Sequence, residues 1–217
     1  EEKDAYFLRG SAELELGDYE SAKADFDQAI SMDPKNYDRL IEIYEALAAH
    51  GYREVGQEYL QNVLDTAKQL DAYDSGRIYY YLGEYQKAYL ALDEARDKGG
   101  ADSYLYLGRA YAATGDYNYA SSVYNNYLSK QGPNAEIYNE LGLCEMAKKE
   151  YQNALAAFQA GKQIEGNSLM QTLCFNEIVA YEYLEDYQQA EVLMNAYLQN
   201  YPDDQTAIRE QQFLSTR

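Results

Sequence analysis

The sequence predicts an all-α fold, an α-solenoid of about six helix-turn-helix units followed by a C-terminal capping helix. A phrase recurs along the 217-residue chain, as in Gly17-Asp18-Tyr19-Glu20-Ser21-Ala22 and Gly115-Asp116-Tyr117-Asn118-Tyr119-Ala120. Apolar residues on either side of the phrase recur at helical spacing. No alternating apolar run is bounded by hairpin turns. Because repeated units of this kind pack on their neighbours, we expect one continuous array rather than separate globular domains.

The small residue that closes each phrase sets the period of the array. Successive small residues lie 34, 32, 32, 34 and 36 residues apart, at Ala22, Gly56, Ala88, Ala120, Ala154 and Ala190. The sequence therefore predicts six tandem repeats within residues 1–202, with approximate bounds of 3–36, 37–68, 69–100, 101–134, 135–168 and 169–202.

Each repeat is predicted to contain two amphipathic helices joined by a tight turn. One position of the first helix is glycine in four repeats, at Gly10, Gly76, Gly108 and Gly142. Glycine inside a helix costs about 1 kcal/mol relative to alanine, so its recurrence predicts close approach of the paired helix. Glycines at the turn are expected to be left-handed, and the three prolines follow second helices, which proline cannot continue.

Residues 203–217 are predicted to form the capping helix. Asp203 and Asp204 are candidate N-caps, and Ala207, Ile208 and Leu214 fall on one side of the helix. We expect this helix to cover the apolar end of the sixth repeat, as terminal helices of repeat arrays do.

Charge narrows the classes of partner. Thirty-seven acidic residues against eighteen basic ones give a net charge of -19. This potential repels nucleic acid and anionic lipid, so neither is expected as a partner. No apolar run approaches the roughly 20 residues of a membrane-spanning helix, so direct membrane insertion is not expected either. The absent initial methionine and the Tyr/Asn/Asp-rich composition favour an exported, surface-tethered bacterial protein, with cytoplasmic residence as the alternative.

The sequence offers no constellation for catalysis. The chain has one histidine, His50, and two cysteines, Cys144 and Cys174. Phosphate-binding loops, dinucleotide fingerprints, zinc-protease motifs and nucleophile elbows are absent. We therefore expect a protein that is not an enzyme, with no cofactor, no metal site and no catalytic residues. Two buried thiols are favoured over a disulfide, because the cysteines fall at different heights on successive helices.

The repeat resembles the tetratricopeptide repeat. Repeat four carries the resemblance best, and repeat one and the others match in part, so that it covers about residues 4–202. The signature positions of repeat four are filled by Tyr104, Leu107, Gly108, Tyr111, Gly115, Tyr117, Ala120 and Tyr124. The resemblance implies antiparallel helix pairs stacked into a right-handed superhelix, whose concave groove is lined mainly by the first helices.

The resemblance also implies which residues line a peptide-binding groove. The candidates are Tyr73, Arg77, Tyr80, Tyr81, Leu105, Arg109, Asn139, Phe175 and Tyr183. Arg77 and Arg109 occupy the same position in neighbouring repeats and could receive a carboxylate through forked hydrogen bonds. In the alternative, each arginine pairs with nearby acids of the chain itself, such as Asp74.

Three hypotheses of function follow. The first is a non-catalytic scaffold that binds a peptide segment of a protein partner in the groove. The second is a self-association or complex-assembly module, since an uncapped first repeat would expose an apolar end. The third is a cell-surface receptor subunit for a small ligand or glycan, suggested by 26 tyrosines and the acidic charge.

Overall fold

The computed structural model describes residues 2–96 and 100–217, and these contain thirteen α-helices and no β-strand. In chain order the helices are α1 (Glu2–Glu15), α2 (Tyr19–Met32), α3 (Tyr37–Ala49), α4 (Arg53–Thr66), α5 (Ala72–Tyr81), α6 (Tyr85–Ala95), α7 (Gly100–Ala113), α8 (Tyr117–Gln131), α9 (Ala135–Ala147), α10 (Tyr151–Lys162), α11 (Met170–Tyr183), α12 (Tyr187–Asn200) and α13 (Gln205–Leu214). The predicted all-α helical-repeat fold class is confirmed. The exact repeat bounds and the handedness of the superhelix stay predictions.

The chain divides into two compact units, of which the first ends at Glu94 and the second runs from Ala95 to Arg217. In the first unit α1 packs against α2, and α3 packs against α4. One apolar cluster is centred on Phe26, Ile43 and Leu47, and a second contains Leu60 and Ile78. Each cluster draws side chains from successive helices, which is how a repeat array builds a continuous core.

In the second unit α7 packs against α8, α9 against α10, and α11 against α12, with α13 on α12. Phe158 and Leu173 lie in one apolar cluster. Ile178 and Met194 lie in another, which Leu214 of α13 joins. The Asp204 carboxylate caps α13 by accepting hydrogen bonds from the backbone N–H groups of residues 206 and 207, at 3.0 and 3.1 Å.

The glycine within the first helices allows close contact with the second helices. A Cβ at Gly108 would overlap the Tyr124 ring, and one at Gly142 would overlap the Phe158 ring. The predicted close approach is confirmed at these positions. In repeat two the small and the large residue exchange places: Tyr44 lies on the first helix and Gly56 on the second. A Cβ at Gly56 would come within 2.9 Å of the Tyr44 ring.

One residue of the turn between the two helices of a repeat has a left-handed backbone conformation. Gly115 has a φ of +85°, as predicted for a glycine at this position. Repeats five and six keep the same backbone without glycine, since Lys149 has a φ of 65° and Glu185 a φ of 61°. These two residues therefore adopt a conformation that is unfavourable for side chains with a Cβ.

Candidate peptide-binding site

All nine candidate residues lie on the first helices of the predicted repeats. Four are on α5 in the first unit and five are on α7, α9 and α11 in the second unit. The candidates differ in exposure, because Arg77, Leu105 and Asn139 are buried whereas Tyr183 is exposed.

Arg77 is held by two carboxylates of its own chain. Its Nη1 donates to Asp38 Oδ1 and its Nη2 to Asp74 Oδ1, both at 2.5 Å. The guanidinium lies over the Tyr73 ring, with Cζ 4.3 Å from the ring centroid. Burial would lower the pKa of Arg77, but the hydrogen bonds to Asp38 and Asp74 outweigh it and raise that pKa. Only 7% of Arg77 is exposed, so it offers little surface to a ligand.

Asp74 responds differently to the same ion pair. Its burial raises the pKa of the carboxyl group more than Arg77 lowers it. The two pKa shifts therefore have different dominant causes: hydrogen bonds to carboxylates for Arg77, and burial for Asp74.

Arg109 is also paired within its own unit. Its Nε and Nη2 donate to Glu140 Oε1 at 3.1 and 2.7 Å, and Nη2 also donates to Glu136 Oε1 at 3.0 Å. Burial would lower the pKa of Arg109, but Glu140 and then Glu136 raise it above its ordinary value. Both arginines therefore pair with acids of their own chain, which is the alternative given in the sequence analysis, and Asp74 is one of the partners of Arg77.

Tyr80 and Tyr81 line a cavity of about 470 Å³ in the first unit. Their rings meet edge to face with centroids 5.3 Å apart. The Tyr81 hydroxyl donates a 2.6 Å hydrogen bond to Glu45 Oε1. Arg53 also lines this cavity, so its wall combines aromatic rings with one acid and one cation.

Phe175 lines a second cavity, of about 300 Å³, together with Asn176 and Tyr197. Asn176 Nδ2 donates to Oδ1 of the candidate Asn139 at 2.8 Å, which ties α9 to α11. Asn139 is 7% exposed and Leu105 is 3% exposed. These two candidates thus lie mostly inside the second unit, where packing against neighbouring helices covers them.

Tyr183 is the most open candidate, with 57% of its surface exposed. Its ring stacks on that of Tyr151 with centroids 5.0 Å apart. It also lines a third cavity together with Tyr187 of α12 and Phe213 of α13. Sequence reasoning restricted to first helices missed these two residues. A sequence signal was present at Glu185, which stands two residues before Tyr187 at the turn position where other repeats have glycine.

The histidine and the two cysteines of the chain are the remaining candidates for reactive side chains. His50 Nδ1 lies 2.8 Å from the Ala46 carbonyl oxygen. Cys144 and Cys174 are free thiols, and burial, followed by Glu140, raises the pKa of Cys144 to about 12. Among residues 2–96 and 100–217, no group of three or more His, Cys, Asp or Glu side chains could hold a metal ion. No helix in those ranges has both the length and the apolar character needed to cross a membrane.

Family models and solved structures resemble this chain. Tetratricopeptide repeat models match residues 3–36, 73–120 and 107–167, which together exceed half of the chain. PilW, described as a widely conserved type IV pilus biogenesis factor, has a TM-score of 0.69 at 17% identity, covering 98% of this chain and 97% of that chain. No curated protein sequence matches the chain.

Two further solved structures are similar. A tetratricopeptide repeat protein from Parabacteroides merdae ATCC 43184 has a TM-score of 0.60 at 14% identity, covering 91% of this chain and 79% of its own. YrrB, described as a TPR protein with an unusual peptide-binding site, has a TM-score of 0.56 at 18% identity, covering 86% and 97%. At such identities these similarities concern the fold alone.

Proposed function

Because the chain belongs to the tetratricopeptide repeat family, we propose that it is a non-catalytic scaffold that binds a peptide segment of a partner protein. Within each compact unit, the proposed binding surface is formed by the first helices of the repeats. Peptide binding by this fold has a precedent in YrrB, whose description names a peptide-binding site.

The observation that carries the proposal is the position of the aromatic candidates. Tyr80 and Tyr81 line the cavity of about 470 Å³, and Phe175 lines the cavity of about 300 Å³. Cavities with aromatic walls and a few polar groups are typical of binding sites, and tyrosine supplies both a ring and a hydroxyl. In the proposal these rings hold apolar side chains of the peptide, while nearby polar groups fix its orientation.

The two arginines have an indirect role in this proposal. Since Arg77 holds Asp38 and Asp74, and Arg109 holds acids of its own unit, a ligand carboxylate would have to displace one of these partners. The arginines therefore position carboxylates on the first helices. The groove then presents acids and tyrosines to the ligand.

A peptide selection tests the proposal. Peptides of about fifteen residues would be selected by display against the full chain, and affinities of the best ones measured by calorimetry. We expect the double variant Tyr80→Ala/Tyr81→Ala to lose at least tenfold in affinity, since it removes two aromatic rings from the wall of the first-unit cavity. The matched control is Tyr119→Ala, which removes an exposed tyrosine from the second helix α8.

Two outcomes would contradict the proposal. One is that the Tyr80/Tyr81 variant and the Tyr119 control bind the selected peptides equally well. The other is that no peptide is selected while the chain self-associates in sedimentation or binds oligosaccharides on an array, which would favour an assembly module or a glycan receptor instead.

A further inference from the structure

A cavity of about 380 Å³ lies at the end of the second unit, beside α11, α12 and α13. It is lined by Glu182, Tyr183, Glu185, Tyr187, Glu210 and Phe213, and we call it the terminal pocket. Its wall thus consists of three carboxyl groups and three aromatic rings. This composition suits a cation that can also stack on a ring.

One carboxyl oxygen in the terminal pocket is buried without a hydrogen-bond donor. Oε1 of Glu182 is buried and accepts no hydrogen bond from any residue that the structure describes. Burial, followed by the charge of Glu210 and by a side-chain hydrogen bond with Glu210, raises the pKa of Glu182 to about 7. A buried acceptor without a donor and two adjacent like charges are both unfavourable. A cationic hydrogen-bond donor entering the pocket would relieve both.

Two of the rings that line the terminal pocket already stack with a guanidinium of the chain, that of Arg217. Cζ of Arg217 lies 4.5 Å from the Phe213 ring centroid and 5.8 Å from that of Tyr187. The two rings meet at 78° with centroids 6.4 Å apart, so they form two sides of a corner. The chain therefore contains its own example of the group that this corner accommodates.

The charge of the chain favours the same kind of ligand. With a net charge of -19, the chain attracts basic segments and repels acidic ones. Arg77 and Arg109, the cations expected to receive a carboxylate, are already paired with acids.

We propose that the terminal pocket binds an arginine side chain of the partner peptide. The guanidinium stacks on Phe213 and Tyr187 and donates hydrogen bonds to the carboxylates of Glu182 and Glu210. Arg217, whose guanidinium lies near the same two rings in the free protein, leaves them when the ligand enters. The inference rests on the proposed function, since it names the chemistry of the segment that the scaffold binds.

Titration of the isotope-labelled full chain with the tripeptide acetyl-Ala-Arg-Ala-amide tests the pocket directly. We expect amide NMR shifts centred on Tyr183, Tyr187, Glu210 and Phe213. The same tripeptide with citrulline, which keeps the shape without the charge, should bind at least tenfold more weakly. Arg217→Gln should strengthen arginine binding severalfold because it removes the competing group. Equal binding of the citrulline peptide, or shifts scattered over the whole acidic surface, would overturn the proposal.

Two pairs of variants separate the pocket from general surface charge and from unfolding. Glu210→Gln should weaken the arginine tripeptide about tenfold, whereas Glu191→Gln, which removes an exposed charge on α12, should not. Glu185→Gly and Lys149→Gly make the same backbone change at left-handed positions. Both should raise the melting temperature, but only Glu185→Gly should weaken binding, by at least threefold. Equal losses in a variant and its control would reject the terminal pocket.

These results stay distinguishable from a failure of the scaffold itself. If selected peptides still require Tyr80 and Tyr81 but the arginine tripeptide does not bind, the inference about the terminal pocket fails and the scaffold stands. The groove proposal fails instead if the tripeptide binds at the pocket but none of the selected fifteen-residue peptides depends on Tyr80 and Tyr81.

Discussion

Replacing Lys149 by glycine is expected to stabilise the protein, although it removes a side chain. Lys149 has a φ of 65° at the turn of repeat five, where repeat four has Gly115 at +85°. The Lys149 side chain is exposed and forms no ion pair within residues 2–96 and 100–217. Its removal therefore changes little except the strain of the backbone.

The magnitude follows from two opposing effects. A left-handed conformation costs a residue with a Cβ about 1–2 kcal/mol. Glycine adopts the conformation freely but loses about 0.5–1 kcal/mol through the greater freedom of the unfolded chain. We therefore expect Lys149→Gly to raise the free energy of unfolding by about 0.5–1 kcal/mol, or the melting temperature by about 1–4 °C for a chain of this size.

The reverse change at Gly115 provides the control. A Cβ at Gly115 would meet no atom within 4 Å, so Gly115→Ala adds backbone strain without a clash. We expect it to lower the free energy of unfolding by about 1 kcal/mol. Urea unfolding followed by circular dichroism measures the change in the free energy of unfolding for both variants, provided that the m-value stays constant. Slower amide exchange in α9 and α10 would show that the stabilisation by Lys149→Gly arises at this turn. A loss of stability in Lys149→Gly, or no loss in Gly115→Ala, would refute the reasoning.

Three other substitutions probe the core, an ion pair and a titrating group. Gly108→Ala should cost about 1–3 kcal/mol in urea unfolding, because its Cβ would overlap the Tyr124 ring; a neutral effect would contradict the close contact. Arg77→Met should cost about 3 kcal/mol near neutral pH by leaving the Asp74 charge partly buried and unpaired, and acidification that protonates Asp74 should restore part of it. The pKa of Glu182 rises to about 7 on folding, so stability should fall as pH increases from about 4.5 to 7, and Glu182→Gln should abolish this fall in thermal melts; an unchanged pH profile would exclude Glu182 as its source.

Much of the helical framework could be predicted because its signals are local. Asp116 caps α8, and the turn glycine Gly115 precedes it, so both ends of this turn are written in adjacent residues. The same turn forms at Lys149 without glycine. There the packing of α9 on α10 imposes the left-handed backbone against the local preference of the residue.

The candidate site was predictable only as far as helix faces. Tyr80, Tyr81 and Phe175 were selected by their positions on first helices, and all three line cavities in the structure. It did not identify Asp38, which pairs with Arg77 across 39 residues of sequence, because ion pairing depends on distances that folding alone creates. Leu105 shows the same limit, since it lies at a groove position yet is almost fully buried.

The sequence by itself determined the helices, their turns and the helical-repeat class, because helix periodicity, caps and glycine act within a few residues. Tertiary structure alone decided which charges are neutralised and which cavities exist. The terminal pocket depends on α13 returning to bring Glu210 beside Glu182. Residues 28 positions apart in the chain interact through space, and the electrostatic consequences of that approach follow from burial and distance rather than from sequence spacing.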